Sequence, residues 1–147
     1  MIKYVIFDKD GTLIDTEPLF YKSWYTVGDK WGLPGMRENY YPNIAGKSVL
    51  ISIKFLSDTF GEAFDSEGFM AERMDMVKKM LGGDINFKSG CMELLSFLRE
   101  QGIKIAIATS TTEAIAKPNI MRLGLDKKID AVVFGDEVSL GKPHPDI

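Results

Sequence analysis

Two aspartates one residue apart, Asp8 and Asp10, close an apolar run and open a glycine turn in the stretch YVIFDKDGTLID, residues 4–15. Carboxylates held this close repel each other, and one is driven neutral unless a cation compensates. Magnesium suits the task, because it takes carboxylate, backbone carbonyl and water oxygens. Gly11 lets the chain turn sharply, and Thr12 offers a hydroxyl donor. Asp-Gly also occurs in ordinary turns, but a buried strand running into D-x-D-G-T-L-x-D is a far more specific pattern. A second apolar run, IAIATS at residues 105–110, ends on Thr109 and Ser110. Hydroxyls and free N–H groups at a strand end are donors suited to a phosphoryl oxygen, and they also cap helices. The third element is GKPHPDI, residues 141–147. There Pro143 and Pro145 restrict where Lys142 points, and an ammonium close to Asp8 would keep that carboxylate ionised.

The elements that must position these residues follow from hydrophobic pattern. Tyr4 to Phe7, Ile103 to Ala108 and Ala131 to Phe134 are continuous apolar runs, as expected of strands covered on both faces. Met92, Leu94, Leu95 and Leu98 form a helical stripe that stops at Gly102. Residues 112–123 are helical in composition, with Pro118 expected to kink or restart the helix. Strand, helix, strand, helix, strand predicts an α/β fold with a doubly wound parallel sheet, whose ligands bind at the carboxyl ends of the strands. Residues 16–82 break the alternation. They contain no convincing strand and predict three or four helices, among them 18–30, 48–60 and 69–81, joined at GLPG and IAGKS. That is too long for a crossover. The expected organisation is an α/β core from 1–15 and 83–147 with a helical domain, 16–82, inserted after the first strand.

With these motifs in place, the chain resembles the haloacid-dehalogenase-like hydrolase superfamily, in its Rossmann-like fold and its subfamily with a helical cap. DKDGTLID is similar to the first motif, IAIATS to the second and GKPHPD to the third. The resemblance implies that Asp8 is the nucleophile and forms an aspartyl-phosphate, and that Asp10 is the general acid and base. It implies that the Asp8 carboxylate and the Asp10 backbone carbonyl bind Mg2+. Thr109 and Ser110 would hold the phosphoryl group, with Lys142 balancing its charge and that of Asp8. The joint AGKS resembles the cap loop that faces the active site, so Gly46 and Lys47 become substrate-binding candidates. Dehalogenase members replace the second aspartate, and phosphonate-cleaving members carry alanine there, so Asp10 favours phosphoryl transfer. Mutases of the β-phosphoglucomutase kind carry a histidine where this chain has Phe20, which favours a phosphatase over a phosphomutase. Family members continue past the third motif to further acidic metal ligands, so the chain is expected to be a C-terminally truncated fragment of low activity that self-associates through its incomplete core.

Bulk properties narrow the alternatives. The 147 residues carry a formal net charge of −3, with 45% hydrophobic and 27% charged residues. That balance argues against disorder and against a dedicated nucleic-acid partner. The single cysteine, Cys91, has no internal partner, and no apolar run approaches the ~18 residues of a membrane span. The amino terminus lacks the cleavage pattern of a signal peptide. The expectation is a cytoplasmic, Mg2+-dependent phosphatase acting on a small phosphorylated metabolite, with neither nucleic acid nor membrane as partner. A phospho-accepting receiver domain also combines acidic residues, a hydroxyl and a lysine on a doubly wound sheet, but it has no helical domain after its first strand. His144 is expected at the surface, Cys91 as structural, and Met70, Met74, Met76 and Met80 as packing in the helical domain.

Overall fold

Short, largely apolar strands need neighbours to satisfy their backbone, and here they find them in parallel. In a computed structural model, which describes residues 2–33, 35–44 and 47–147, β1 (Tyr4–Phe7), β2 (Lys104–Ala108) and β3 (Ala131–Val133) form one sheet of order β1-β2-β3. Tyr4 to Phe7 pair with Lys104 to Ile107, and Ala106 to Ala108 with Ala131 to Val133. Side chains alternate across the pleat. Ile105 and Ile107 are wholly buried on one face, while Tyr4 and Ile6 on the other are 72% and 69% exposed. β1 therefore departs from the expectation of cover on both faces. Among the described residues it pairs with a single strand, β2, and no described element packs over Tyr4 and Ile6.

Two compact units make up the chain: residues 1–16 with 84–147, and residues 17–83. In the α/β unit, α5 (Cys91–Glu100) buries Cys91, Leu95 and Leu98. Gly102, at φ 70°, turns the chain out of the helix toward β2, a backbone conformation that glycine adopts without steric cost. α6 (Glu113–Arg122) begins after Thr112 and runs without interruption through Pro118. The helix does not restart at Pro118. Proline removes one N–H, and the carbonyl it would have reached is that of Ala114, still in the first turn. The Glu113 N–H is satisfied from outside the helix by Asp136 Oδ1 at 2.8 Å, so the loop after β3 caps α6.

The helical unit contains α1 (Glu17–Lys30), a π-helical turn (Met36–Tyr40), α2 (Tyr41–Ile44), α3 (Val49–Phe60) and α4 (Ser66–Leu81). Ser48 accepts from the Ile51 N–H and caps α3. Asp65 accepts from the Gly68 N–H at 2.8 Å and starts α4 three residues before the expected position 69, since a capping carboxylate satisfies first-turn donors. Trp24, Val27, Met36, Ile44, Leu56, Phe69 and Met70 form its core, with Trp31, Phe60, Phe64 and Met76 packed against it. Of the four methionines, Met70 and Met76 join this cluster; Met74 and Met80 are half-buried outside it. Among the described residues no helix is long and apolar enough to cross a membrane.

Candidate active site

The carboxyl end of β1 runs directly into the turn that carries the aspartates. Gly11 sits at φ 75° and its N–H donates to the Ile14 carbonyl at 2.8 Å. Leu13 and Ile14 both donate to the Lys9 carbonyl, at 3.0 and 3.1 Å. Leu13 and Ile14 are themselves buried, which anchors the turn beneath the sheet edge. Asp8, immediately after β1, has one carboxylate oxygen engaged twice. Its Oδ1 accepts from the Lys9 backbone N–H at 2.9 Å and from Lys142 Nζ at 2.7 Å. Lys142 also donates to the Ala108 carbonyl at 2.9 Å, so the end of β2 aims the ammonium at Asp8. Among the described residues, Asp8 Oδ2 has no hydrogen-bond partner.

Asp10 is held differently. Its Oδ1 accepts from Lys9 Nζ and Thr16 Oγ1, both at 2.7 Å, and its Oδ2 from Thr111 Oγ1 at 2.8 Å and Thr109 Oγ1 at 3.3 Å. Lys9 and Thr16 are wholly buried, and Thr109 is 1% exposed. The Thr109 hydroxyl also accepts from the Thr111 N–H at 3.1 Å. Thus Thr109, expected to face a phosphoryl group, is turned to Asp10, whereas the Ser110 side chain has no hydrogen-bond partner among the described residues. Lys9, Thr16 and Thr111 escaped the sequence reading. They stand in the D-K-D spacing, one residue past DGTLID and in the T-S-T-T run, and spacing alone does not show that their side chains turn to Asp10.

The remaining candidates are distributed elsewhere. Lys47 is exposed, and its N–H donates to the Ile44 carbonyl at 3.0 Å in the helical unit. Gly46 lies outside the described residues. His144 pairs with Asp146 at 3.1 Å on the surface. Asp136 caps α6, and Glu137 accepts from the Phe134 N–H within its own loop at 2.7 Å, so both carboxylates are engaged in holding backbone. Cys91 is buried, and burial first, with Glu93 second, pushes its thiol above the ordinary value; a structural cysteine follows.

An oxygen-only donor set suits a hard divalent cation such as Mg2+. The Asp8 Oδ2 atom and the Asp10 backbone carbonyl accept no hydrogen bond among the described residues, so both are open for such an ion. Asp10 would contribute its carbonyl rather than its carboxylate, which is occupied by four donors. No group of three or more acidic, His or Cys side chains gathers into a metal site among the described residues. The Asp8 carboxylate and the Asp10 carbonyl would supply two of the oxygens that such an ion takes.

A family model described as haloacid dehalogenase-like hydrolase matches residues 5–147. A phosphorylated carbohydrates phosphatase of Thermotoga maritima is 34% identical over 143 residues, covering 97% of this chain and 66% of that protein. The pyrophosphatase PpaX of Halalkalibacterium halodurans is 31% identical over 152 residues, covering 99% and 65%. The crystal structure of a hydrolase from Pseudomonas syringae superposes with a TM-score of 0.80 at 29% identity, over 99% of this chain and 66% of that one. The chain thus spans about two thirds of the length of these relatives. With its parallel α/β core, its D-x-D turn and a family match over nearly its whole length, the chain belongs to the haloacid dehalogenase-like hydrolases.

Proposed function

We propose that this chain carries the nucleophile and acid/base of a Mg2+-dependent phosphatase acting on a small phosphorylated metabolite. The observation that supports it most is the asymmetry of Asp8: Oδ1 is held by the Lys9 N–H and Lys142 Nζ, and Oδ2 is open at the carboxyl end of β1. The Asp8 carboxylate attacks phosphorus, the bond from phosphorus to the leaving oxygen breaks, and an aspartyl-phosphate forms on Asp8. Asp10 supplies the proton taken up by the leaving oxygen. Water then attacks the same phosphorus, Asp10 receives its proton, and phosphate departs with Asp8 restored. Bound at Asp8 Oδ2 and the Asp10 carbonyl, Mg2+ would offset charge on the phosphoryl oxygens. Lys142 does the same from Oδ1 of Asp8, and its grip on that oxygen fixes the orientation of the carboxylate.

The named activities of the relatives support a sugar phosphate or a similar small metabolite as substrate. Selection among these is assigned to the helical unit, residues 16–82 as a cap, with Lys47 and Gly46 as its first candidates. Ser110, rather than Thr109, has its hydroxyl available for a phosphoryl oxygen. The single unpaired Cys91 supports a reducing cytoplasm as the setting. Asp8→Asn is expected to abolish Mg2+-dependent hydrolysis of p-nitrophenyl phosphate by a chain that retains its circular dichroism spectrum. Wild-type turnover in that variant would show that another group attacks phosphorus.

A further inference from the structure

A lysine with no exposed surface is costly unless its charge is matched. Lys9 is one, at 0% exposure, placed between the two aspartates of the site. Among the described residues its ammonium has a single hydrogen-bonding partner, Asp10 Oδ1 at 2.7 Å. Asp10 does not need that partner to satisfy its lone pairs, because Thr16, Thr109 and Thr111 already supply three hydroxyl donors. Nor does the turn need a charge at this position. The backbone of Lys9 does the structural work, its carbonyl accepting from Leu13 and Ile14 and its N–H donating to Asp8. A methionine or leucine would fill the same space without desolvating an ammonium.

The side chain therefore acts on one atom. Hydroxyl donors rotate and hold a carboxylate loosely; an ammonium one residue away in sequence, with its stem packed, gives a fixed point. Thr109 and Thr111 hold Oδ2 from the β2 side, and Thr16 approaches Oδ1 from the chain leaving the turn. Only Lys9 is built into the same turn as Asp10 itself. We propose that Lys9 is a positioning residue that fixes the rotamer of the Asp10 carboxylate, and so the direction from which Asp10 reaches the leaving oxygen. This rests on the reading of Asp10 as the proton carrier.

The test uses Lys9→Met, close to Lys in volume, in the 147-residue chain. A crystal structure of the variant is expected to show Asp10 Oδ1 displaced from Thr16 or split between two rotamers. An Asp10 still on Thr16, Thr109 and Thr111 in one rotamer overturns the proposal, whether or not the chain turns over substrate. Where hydrolysis is measurable, kcat for an alkyl ester such as glycerol 3-phosphate should fall about tenfold, with KM and the p-nitrophenyl phosphate rate changing less than about twofold, since misplacing a catalytic group costs on this scale. Equal losses on both esters, or a lowered melting temperature with the ratio unchanged, mean that Lys9 is structural only, and the proposal fails. Asp10→Ala separates the two layers of inference. It should raise the aryl-to-alkyl ratio by itself and make added Lys9→Met silent on that ratio, as expected of residues acting as one unit. If Asp10→Ala leaves the ratio unchanged, the acid/base reading is at fault, and the crystal structure alone decides on Lys9.

Discussion

At the scale of single residues, the groups the sequence singles out and the groups it misses differ in a physical way. Asp8, Asp10, Thr109 and Lys142 lie in motifs whose residue types announce their chemistry, and the fold brings them together within hydrogen-bond reach. Lys9, Thr16 and Thr111 were illegible because spacing alone does not tell which side chains fold back onto a turn. A strand-to-turn step such as D-K-D fixes the alternation of side chains for one more residue and no further. Gly135 was equally silent. A Cβ built there would stand 2.2 Å from the Ser110 carbonyl oxygen and 2.6 Å from its carbon. Backbone cannot withdraw as a flexible side chain can, so the loop after β3 must move, along with its caps on α6 and Phe134. Gly135→Ala is expected to destabilise the α/β unit by about 2 kcal/mol, in the range of overpacking substitutions. Urea unfolding followed by far-UV circular dichroism measures this; a change below about 0.5 kcal/mol would show that the two loops separate freely.

At the scale of elements, hydrophobic runs and caps fixed most boundaries within a residue or two. The strands expected at 4–7, 103–108 and 131–134 form at Tyr4–Phe7, Lys104–Ala108 and Ala131–Val133. The π-helical turn at Met36–Tyr40 and the short α2 after it were not legible, since a five-residue and a four-residue segment carry too few positions to show a period. The start of β2 has its own clamp, which no hydrophobic pattern reveals. Asp130 Oδ1 accepts from Lys104 Nζ at 2.8 Å, its Oδ2 accepts from the Ile105 N–H at 2.9 Å, and its own N–H donates to the Ile105 carbonyl at 2.7 Å. The Lys104 hydrogen bond first, and the Ile105 N–H second, hold the Asp130 carboxyl below its ordinary value of 3.8. A carboxyl depressed in the folded state stabilises it above the unfolded value, and that contribution is lost as the pH falls through the folded value. Wild-type stability should therefore decline below about pH 4. Asp130→Asn should remove part of that decline while costing stability at neutral pH. Urea midpoints measured between pH 7 and about pH 2.5 test it. Parallel curves for the two proteins would show that Asp130 contributes nothing to the acid limb.

At the scale of the whole molecule, an inserted helical segment was legible from its length and from its lack of strand pattern, and the chain divides at Thr16/Glu17 and Gly83/Asp84. What composition could not reveal is that each unit buries its own apolar set. Trp24, Leu56, Phe69 and Met70 belong to the helical cluster, and Leu95, Ile105, Ile107 and Ile120 are buried residues of the α/β unit. Units with separate buried cores can unfold with their own free energies. The two tryptophans of the chain, Trp24 and Trp31, both lie in the helical unit, so tryptophan fluorescence reports on that unit alone. Far-UV circular dichroism reports on both. Ile107 has no exposed surface, and Ile107→Ala is expected to cost the α/β unit about 3 kcal/mol through lost burial and the cavity left behind. The fluorescence midpoint in urea should stay where it is, while the dichroism curve gains an earlier phase and becomes broader. If both probes shift together by the same amount, the units unfold as one cooperative block. With units that unfold separately, the reciprocal substitution, Phe69→Ala, moves fluorescence first, and the order of the two phases reverses.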